Sequence, residues 1–95
     1  MAAYLVVDIK VKDPQQILKY RELAQQAIAR HGGRYLVRGG KSITLEGDWQ
    51  PERLVVVEFA SLEQARLFYD SPEYLAARAA RAGAADFDML LVEGT

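Results

Sequence analysis

The sequence predicts an α+β fold in which an antiparallel sheet of four strands carries its helices on one face. Three observations predict it: the order of strand-like and helix-like patterns, the signals at helix ends, and apolar residues on both faces of the strands. The patterns follow one another as β-α-β-β-α-β, which is the ferredoxin-like arrangement. A chain of 95 residues suffices for one such domain, spanning 1–95.

The composition disfavours several classes of function. A net charge of −1 and a pI near 5.8 leave no basic footprint for nucleic acid or an anionic membrane. The absence of cysteine excludes disulfides and thiolate chemistry. No apolar run approaches the ~18 residues of a membrane span, and the N-terminus lacks a charged signal-peptide start. We therefore expect a cytoplasmic protein with neither nucleic-acid nor membrane partners.

The first strand and the first helix have clear boundaries in the sequence. The β-rich run Ala3–Val11 is apolar at nearly every position, and Asp13-Pro14 then predicts a helix start with Asp13 as N-cap and Gln16 as its capping partner. The helix ends at Gly32-Gly33, a C-terminal signal of the left-handed type. Its apolar face comprises Ile17, Tyr20, Leu23, Ala24, Ala27 and Ile28.

The middle of the chain predicts two strands joined by a hairpin loop. The extended runs are Arg34–Gly47 and Arg53–Phe59, and the residues between them, with Asp48 and Pro51, are typical of a turn. The pair Gly39-Gly40 inside the first run predicts a bulge or bend.

The last third of the chain predicts a broken helix and a final strand. Ser61 with Gln64 forms a capping box, and the helix that it starts runs through Phe68 and Tyr69. Ser71-Pro72 then restarts a helix that is rich in alanine over 74–82 and ends at Gly83. The run Phe87–Glu93 predicts the fourth strand.

The strands carry apolar residues on both faces. In the first strand Leu5, Val7 and Ile9 alternate with Tyr4, Val6 and Asp8, so both sides contain large apolar groups. The third and fourth strands show the same pattern, whereas two helices can cover only one face. We therefore expect a homodimer in which the sheets of two copies face each other.

Glu58 interrupts the otherwise apolar strand Leu54–Phe59, which is central in this topology. A buried carboxylate costs several kcal/mol, roughly, unless it is paired or protonated. Two interpretations stay open. Glu58 is a general acid or base in a small-molecule cavity, or Glu58 and Asp8 pair with Arg38 or Arg53 and only fix the register.

The segment Leu45–Tyr74 resembles domain-of-unknown-function family 1330, which belongs to the dimeric α+β barrel superfamily. The resemblance runs nearly end to end, and Ala60 is a small departure where the family often has proline. Its most specific residues are Glu46, Gly47, Asp48, Trp49, Pro51, Arg53, Glu58 and Phe59. The pattern is completed by Phe68, Tyr69, Ser71, Pro72, Glu73, Tyr74 and Arg78. It implies a ferredoxin-like fold and a homodimer, but no established activity. Relatives in the superfamily include cofactor-free monooxygenases, haem-binding enzymes, lyases and isomerases, and this likeness concerns the fold.

The candidate ligand-binding residues offer two kinds of group. Arg53, Arg38 and Arg78 carry the planar guanidinium that suits a ligand carboxylate, and Tyr69 and Tyr74 carry a phenol. Asp8 lies on the strand face that also bears Glu58. The competing interpretation is a solvated helix residue for Arg78 and half-buried core residues for the tyrosines.

No cofactor or metal site is expected. The single histidine, His31, ends the first helix, where a cation stabilises the C-terminus. We prefer this structural interpretation of His31 to a haem-binding or catalytic role. Asp86, Asp88 and Glu93 lack ligand spacing, and Gly40-Lys41-Ser42 lacks the earlier glycine of a phosphate loop. Two functions remain. The first is a small-molecule enzyme or binder whose site lies between sheet and helices of a dimer, with Glu58 as its acid or base. The second is a non-catalytic dimeric binding or interaction module in which Glu58 is structural.

Overall fold

The strands and helices follow the predicted order. A computed structural model describes Met1–Thr95 and contains β1 (Ala3–Val11), α1 (Gln16–Arg30), β2 (Arg34–Arg38), β3 (Leu54–Phe59), α2 (Leu62–Tyr69), α3 (Pro72–Ala80) and β4 (Ala85–Glu93). The sheet order is β2-β3-β1-β4, and each neighbouring pair is antiparallel. The α+β, ferredoxin-like class is confirmed.

The register between β1 and β3 assigns every strand residue to a face. Tyr4 lies opposite Glu58, and Val6 lies opposite Val56. Because side chains alternate along a strand, the other residues of both strands point the opposite way, toward the helices. We call the helix-covered side the inner face and the side bearing Tyr4 and Glu58 the outer face.

The core lies between the inner face and the helices. Burial in β3 alternates strictly, with Val55, Val57 and Phe59 buried and their neighbours half-buried. Three aromatic rings continue the core into α2 and α3, since Phe68 packs 5.1 Å from Phe59 and 4.5 Å from Tyr74 between ring centroids. Large buried aromatic surface of this kind is a dominant stabilising contribution in a domain of this size.

No helix covers the outer face, and the loop before β3 covers only its end at Asp8. Its apolar side chains stay accessible, with Leu90 63% and Val92 46% exposed. Val6 and Val56 at the centre are half-buried by their neighbours alone. The predicted two-faced character of the strands is therefore observed.

The helix ends use the predicted caps with one change. Asp13 Oδ1 accepts from the backbone amides of Gln15 and Gln16, so Asp13 stabilises the start of α1. Gln16 does not complete a capping box. Its Nε2 instead donates to the carbonyls of Ala80 and Ala82, at 3.1 and 2.8 Å, and thereby satisfies the open end of α3.

The second extended run is shorter than predicted. β2 ends at Arg38, and Gly39 turns the chain with φ +73°. No strand lies beside residues 40–53 to accept their backbone hydrogen bonds, so the run cannot continue as sheet. The bend predicted at Gly39-Gly40 is observed at Gly39, whereas the bulge lies earlier, at the register shift between Tyr35 and Val37.

No helix of the structure combines the length and the hydropathy needed to cross a bilayer.

Ser71→Ala is expected to destabilise the fold more than Ser61→Ala. Both hydroxyls accept from a backbone amide at a helix start, but Ser71 is 6% exposed and its hydroxyl also donates to the Phe68 carbonyl at 2.7 Å. Loss of a cap costs about 1 kcal/mol, and loss of the hydroxyl's own hydrogen bond to the Phe68 carbonyl, which keeps the Ser71 amide as a donor, adds up to about 1 kcal/mol more. Urea unfolding of both variants measures the difference. Equal losses would contradict the structural role given to the Ser71 hydroxyl.

Candidate functional site

A cavity lies between the inner face and the helices. Its walls are the apolar side chains of β1, β3, β4, α1 and the aromatic cluster, and its volume is about 40 Å³. One water occupies about 10–15 Å³ of such a volume, so the enclosed part holds a few non-hydrogen atoms. The cavity continues outward at an open end. The lining residues are Leu5, Val7, Ile9, Ile17, Tyr20, Arg21, Ala24, Ile28, Tyr35, Arg38, Arg53, Val55, Val57, Phe68, Tyr74 and Met89.

Three arginines contribute all the formal charge of this lining. Arg21 comes from α1, Arg38 from the end of β2, and Arg53 immediately precedes β3. Arg21 and Arg53 are half-buried and Arg38 is exposed, so together they mark the open end. None of the three has a carboxylate within 4.0 Å, whereas Arg30, Arg34 and Arg66 each do. The cationic end of the cavity is thus uncompensated.

Neutral contacts position these guanidinium groups. Arg38 donates to Gln25 Oε1 at 2.9 Å and lies 4.3 Å from the centroid of the Tyr35 ring. Arg53 rests against the backbone of Gly39, where an added Cβ would overlap the guanidinium. Burial of Arg53, followed by the positive charges of Arg21 and Arg38, lowers its pKa below the ordinary value.

A hydroxyl pair lies on the helix side of the cavity. The hydroxyls of Tyr20 in α1 and Tyr74 in α3 are 2.7 Å apart, and Arg81 Nη1 donates to the Tyr74 hydroxyl at 3.0 Å. Burial, and then the neighbouring Tyr74, raises the pKa of Tyr20. Burial also raises the pKa of Tyr74 despite the lowering effect of Arg81. Both tyrosines are therefore protonated hydrogen-bond donors at neutral pH.

Of the predicted site residues, three line this cavity together: Arg38, Arg53 and Tyr74. Tyr69 and Arg78 do not. The Arg78 guanidinium stacks over the Tyr69 ring at 4.5 Å, and Tyr69 borders a separate, more open groove of about 200 Å³ beside α2.

Glu58 and Asp8 lie on the outer face, outside the cavity. Glu58 accepts from Arg34 Nε at 2.7 Å, and not from Arg38 or Arg53 as the pairing interpretation expected. Asp8 is buried and accepts from Trp49 Nε1 at 3.3 Å and from the Glu52 amide at 3.1 Å. The strand alternation that buries Val57 and Phe59 turns Glu58 away from this cavity, and a site for Glu58 within a dimer stays a prediction.

His31 lies where the helix-end interpretation expected it. It follows α1 as the C-cap, and its Nε2 is 3.4 Å from Glu73 Oε1, an ion-pair distance without hydrogen-bond geometry. It does not line the cavity. No three His, Asp or Glu side chains are placed to hold a metal ion.

Sequence reasoning missed Arg21, Tyr20 and Arg81 as site residues. Two helical spacings in the sequence indicated the positions of Arg21 and Arg81. Arg21 stands on the apolar stripe of α1, four residues after Ile17, and Arg81 is seven residues after Tyr74 on the same helical face. A charged residue within an apolar stripe is the more informative of the two, because it must face either a partner or a cavity.

Residues 2–95 match the family model described as Domain of unknown function (DUF1330). The chain belongs to this family. No curated protein matches it in sequence.

Similar solved structures support the fold of this DUF1330 protein. A protein of unknown function from Rhodopseudomonas palustris matches with a TM-score of 0.74 and 17% identity, over 99% of this chain and 82% of that one. SnoaB, a cofactor-independent oxygenase from Streptomyces nogalater, matches with a TM-score of 0.66 and 14% identity, over 99% of this chain and 93% of SnoaB. A dimeric ferredoxin-like protein of unknown function from Jannaschia sp. matches with a TM-score of 0.67 and 10% identity, over 99% of this chain and 100% of that one. At these identities the likeness concerns the fold.

Replacing Glu58 by Gln is expected to act only through Arg34. The pair is partly exposed, with the Arg34 side chain 72% accessible, so its loss costs about 1 kcal/mol or less. In an Arg34→Gln background the same replacement should cost almost nothing, and the NMR signals of the cavity methyl groups should not move. Denaturant unfolding of the four proteins of this double-mutant cycle tests it. A loss that persists without Arg34, or shifted cavity signals, would contradict this assignment.

Proposed function

We propose that this DUF1330 protein binds a small organic anion in the cavity between its sheet and helices. The apolar part of the ligand packs against the inner face, and its acid group meets the guanidinium groups of Arg38 and Arg53, with Arg21 beside them. One observation carries the proposal: three arginines without carboxylate partners converge on the open end of an apolar cavity. Such a combination is typical of small-molecule sites.

Electrostatics favours an anion in this place. Three like charges repel one another, and the pKa of Arg53 is lowered first by burial and then by the charges of Arg21 and Arg38. A carboxylate accepts two parallel hydrogen bonds from a guanidinium and would offset the repulsion. Gln25 and Tyr35 hold the guanidinium of Arg38, and Gly39 contacts that of Arg53. None of these contacts brings a negative charge, so the charge of both arginines is available to a ligand.

Binding fits the geometry better than acid–base catalysis by Glu58. Glu58 lies on the outer face and bonds to Arg34, and the cavity lining includes no carboxylate and no imidazole. Its tyrosines have raised pKa values and act as donors rather than bases. We therefore favour a ligand-binding module in which Glu58 is structural over an enzyme that uses Glu58. The oxygenase activity of SnoaB is a property of that protein.

The proposal includes a homodimer joined through the outer faces. Leu90, Val92 and Val37 expose apolar surface there, and Trp49 on the adjoining loop is 60% exposed. An unlayered apolar sheet face is an association surface, and two related copies cover it symmetrically. The description of the Jannaschia relative as dimeric supports a second copy as the occupant.

Arg53→Gln is expected to weaken binding of a simple carboxylate about tenfold or more. Pentanoate serves as the probe, and its neutral counterpart pentanamide should bind at least about tenfold more weakly to the unaltered protein, because a charged hydrogen-bonded pair is lost. Isothermal titration, together with NMR shifts of the Val7 and Ile9 methyl groups, measures both effects.

Arg66→Gln is the matched control for that experiment. Arg66 lies outside the cavity with a mostly exposed side chain, so its loss should leave pentanoate binding unchanged. Equal binding of acid and amide, or equal loss in both arginine variants, would refute an anion site at Arg53.

Leu90→Asp is expected to produce monomers, whereas Leu67→Asp should not. The two leucines are similarly exposed, at 63% and 61%, but Leu90 lies on the outer face and Leu67 on α2. A charge buried without a partner in the interface disrupts association. Light scattering after size-exclusion chromatography gives the mass. The emission of Trp49, the one tryptophan, should also shift to the blue as protomer concentration rises. A wild-type monomer at micromolar concentration would overturn the dimer.

A further inference from the structure

Tyr20 and Tyr74 line the cavity, and their hydroxyls form a buried polar pair away from its arginines' formal charges. Tyr20 is 7% exposed and Tyr74 is 1% exposed, and their hydroxyl oxygens are 2.7 Å apart. The only other hydrogen bond to either hydroxyl comes from Arg81 Nη1, which donates to Tyr74. The pair therefore has one bond between its members and one bond received from outside.

Counting hydrogens shows that this pair has a donor left over. Two hydroxyls bring two hydrogens, the bond between them uses one, and Arg81 brings its own hydrogen. Whichever tyrosine donates to the other, the second hydrogen has no acceptor in the protein. Burial keeps both groups protonated, since the pKa of each is raised. A buried donor without an acceptor is rare in folded proteins, so an acceptor is expected here.

No other side chain of the lining accepts that hydrogen. No carboxylate, amide or imidazole side chain lines the cavity, and the arginines at its open end are donors only. Apart from the tyrosine oxygens, the polar side chains of the site thus all present hydrogens. A complementary ligand is rich in acceptors and poor in donors.

We propose that the ligand is an oxo acid, with its carboxylate at Arg38 and Arg53 and a carbonyl oxygen that accepts the remaining hydrogen of the Tyr20–Tyr74 pair. This rests on the proposed anion-binding function and specifies its substrate class. A carbonyl fits better than a hydroxyl at this position, because a hydroxyl would bring a further hydrogen into a wall whose only side-chain acceptors are tyrosine oxygens. The short apolar stretch between the two oxygen groups packs against the inner face.

A matched pair of probes tests this inference. 4-Oxopentanoate and pentanoate have the same charge and chain length and differ in the carbonyl. The oxo acid should bind about fivefold or more tightly, the gain expected from one added hydrogen bond in a buried site. Isothermal titration under identical salt measures the ratio.

Tyrosine variants locate the source of the preference. Tyr20→Phe and Tyr74→Phe each leave one hydroxyl with a free hydrogen, so either single variant should keep a preference for the oxo acid. The double variant has no hydroxyl in the pair and should bind both probes equally. Equal binding in the unaltered protein, or a preference that survives in the double variant, would overturn the proposal while leaving the anion site standing. Failure of both probes to bind would overturn the two proposals together.

A second measurement covers a double variant that fails to fold. The carbonyl stretch of 4-oxopentanoate carrying ¹³C at its keto carbon shifts to lower frequency when the oxygen accepts a hydrogen bond. Infrared difference spectra of the complex should show this shift in the unaltered protein. A carbonyl frequency typical of an apolar solvent would overturn the proposed contact.

Discussion

The antiparallel register between β1 and β3 is the constraint on which the rest of the structure depends. With Tyr4 opposite Glu58 and Val6 opposite Val56, the buried residues of both central strands point toward the helices. A slip of one residue would exchange the faces and bring Glu58 into the core in place of Phe59. The burial of Phe59 against Phe68, and through it Tyr74, makes such an exchange costly. The cavity and the outer surface are both consequences of this single alignment.

The two faces of the sheet handle charge in different ways. On the outer face each carboxylate of interest has a partner, since Glu58 bonds to Arg34 and Asp8 accepts from Trp49 and the Glu52 amide. On the inner side the charges are all positive and none is neutralised. Partnered carboxylates stabilise structure, whereas unpaired guanidinium groups beside apolar walls favour a ligand of opposite sign. This contrast is why we place function on the inner face.

Loop residues 39–53 connect these two faces. At one end the Arg53 guanidinium packs against Gly39. The backbone amide of Ile9 donates a hydrogen bond to the carbonyl oxygen of Arg53. Near its centre, Trp49 reaches the outer face through Asp8. One short stretch of chain thus contacts both the outer face and the arginines at the cavity.

The sequence by itself determined the class of the fold, the order of its elements and the existence of two apolar sheet faces. These features depend on local periodicity and on capping residues such as Asp13, Ser61 and Ser71, whose effects act within a few positions along the chain. It also indicated that Arg38, Arg53 and Tyr74 are candidates for binding.

Only the tertiary structure decided which of those candidates meet. Arg21, Arg38 and Arg53 come from three separate parts of the chain, and Tyr20 reaches Tyr74 across 54 positions. Glu58 and Phe59 are neighbours in sequence but face opposite sides of the sheet, and the partner of Glu58 is Arg34 on the adjacent strand. Such pairings depend on strand register and on helix docking, which are set by the packing of the whole domain and leave no local pattern in the sequence.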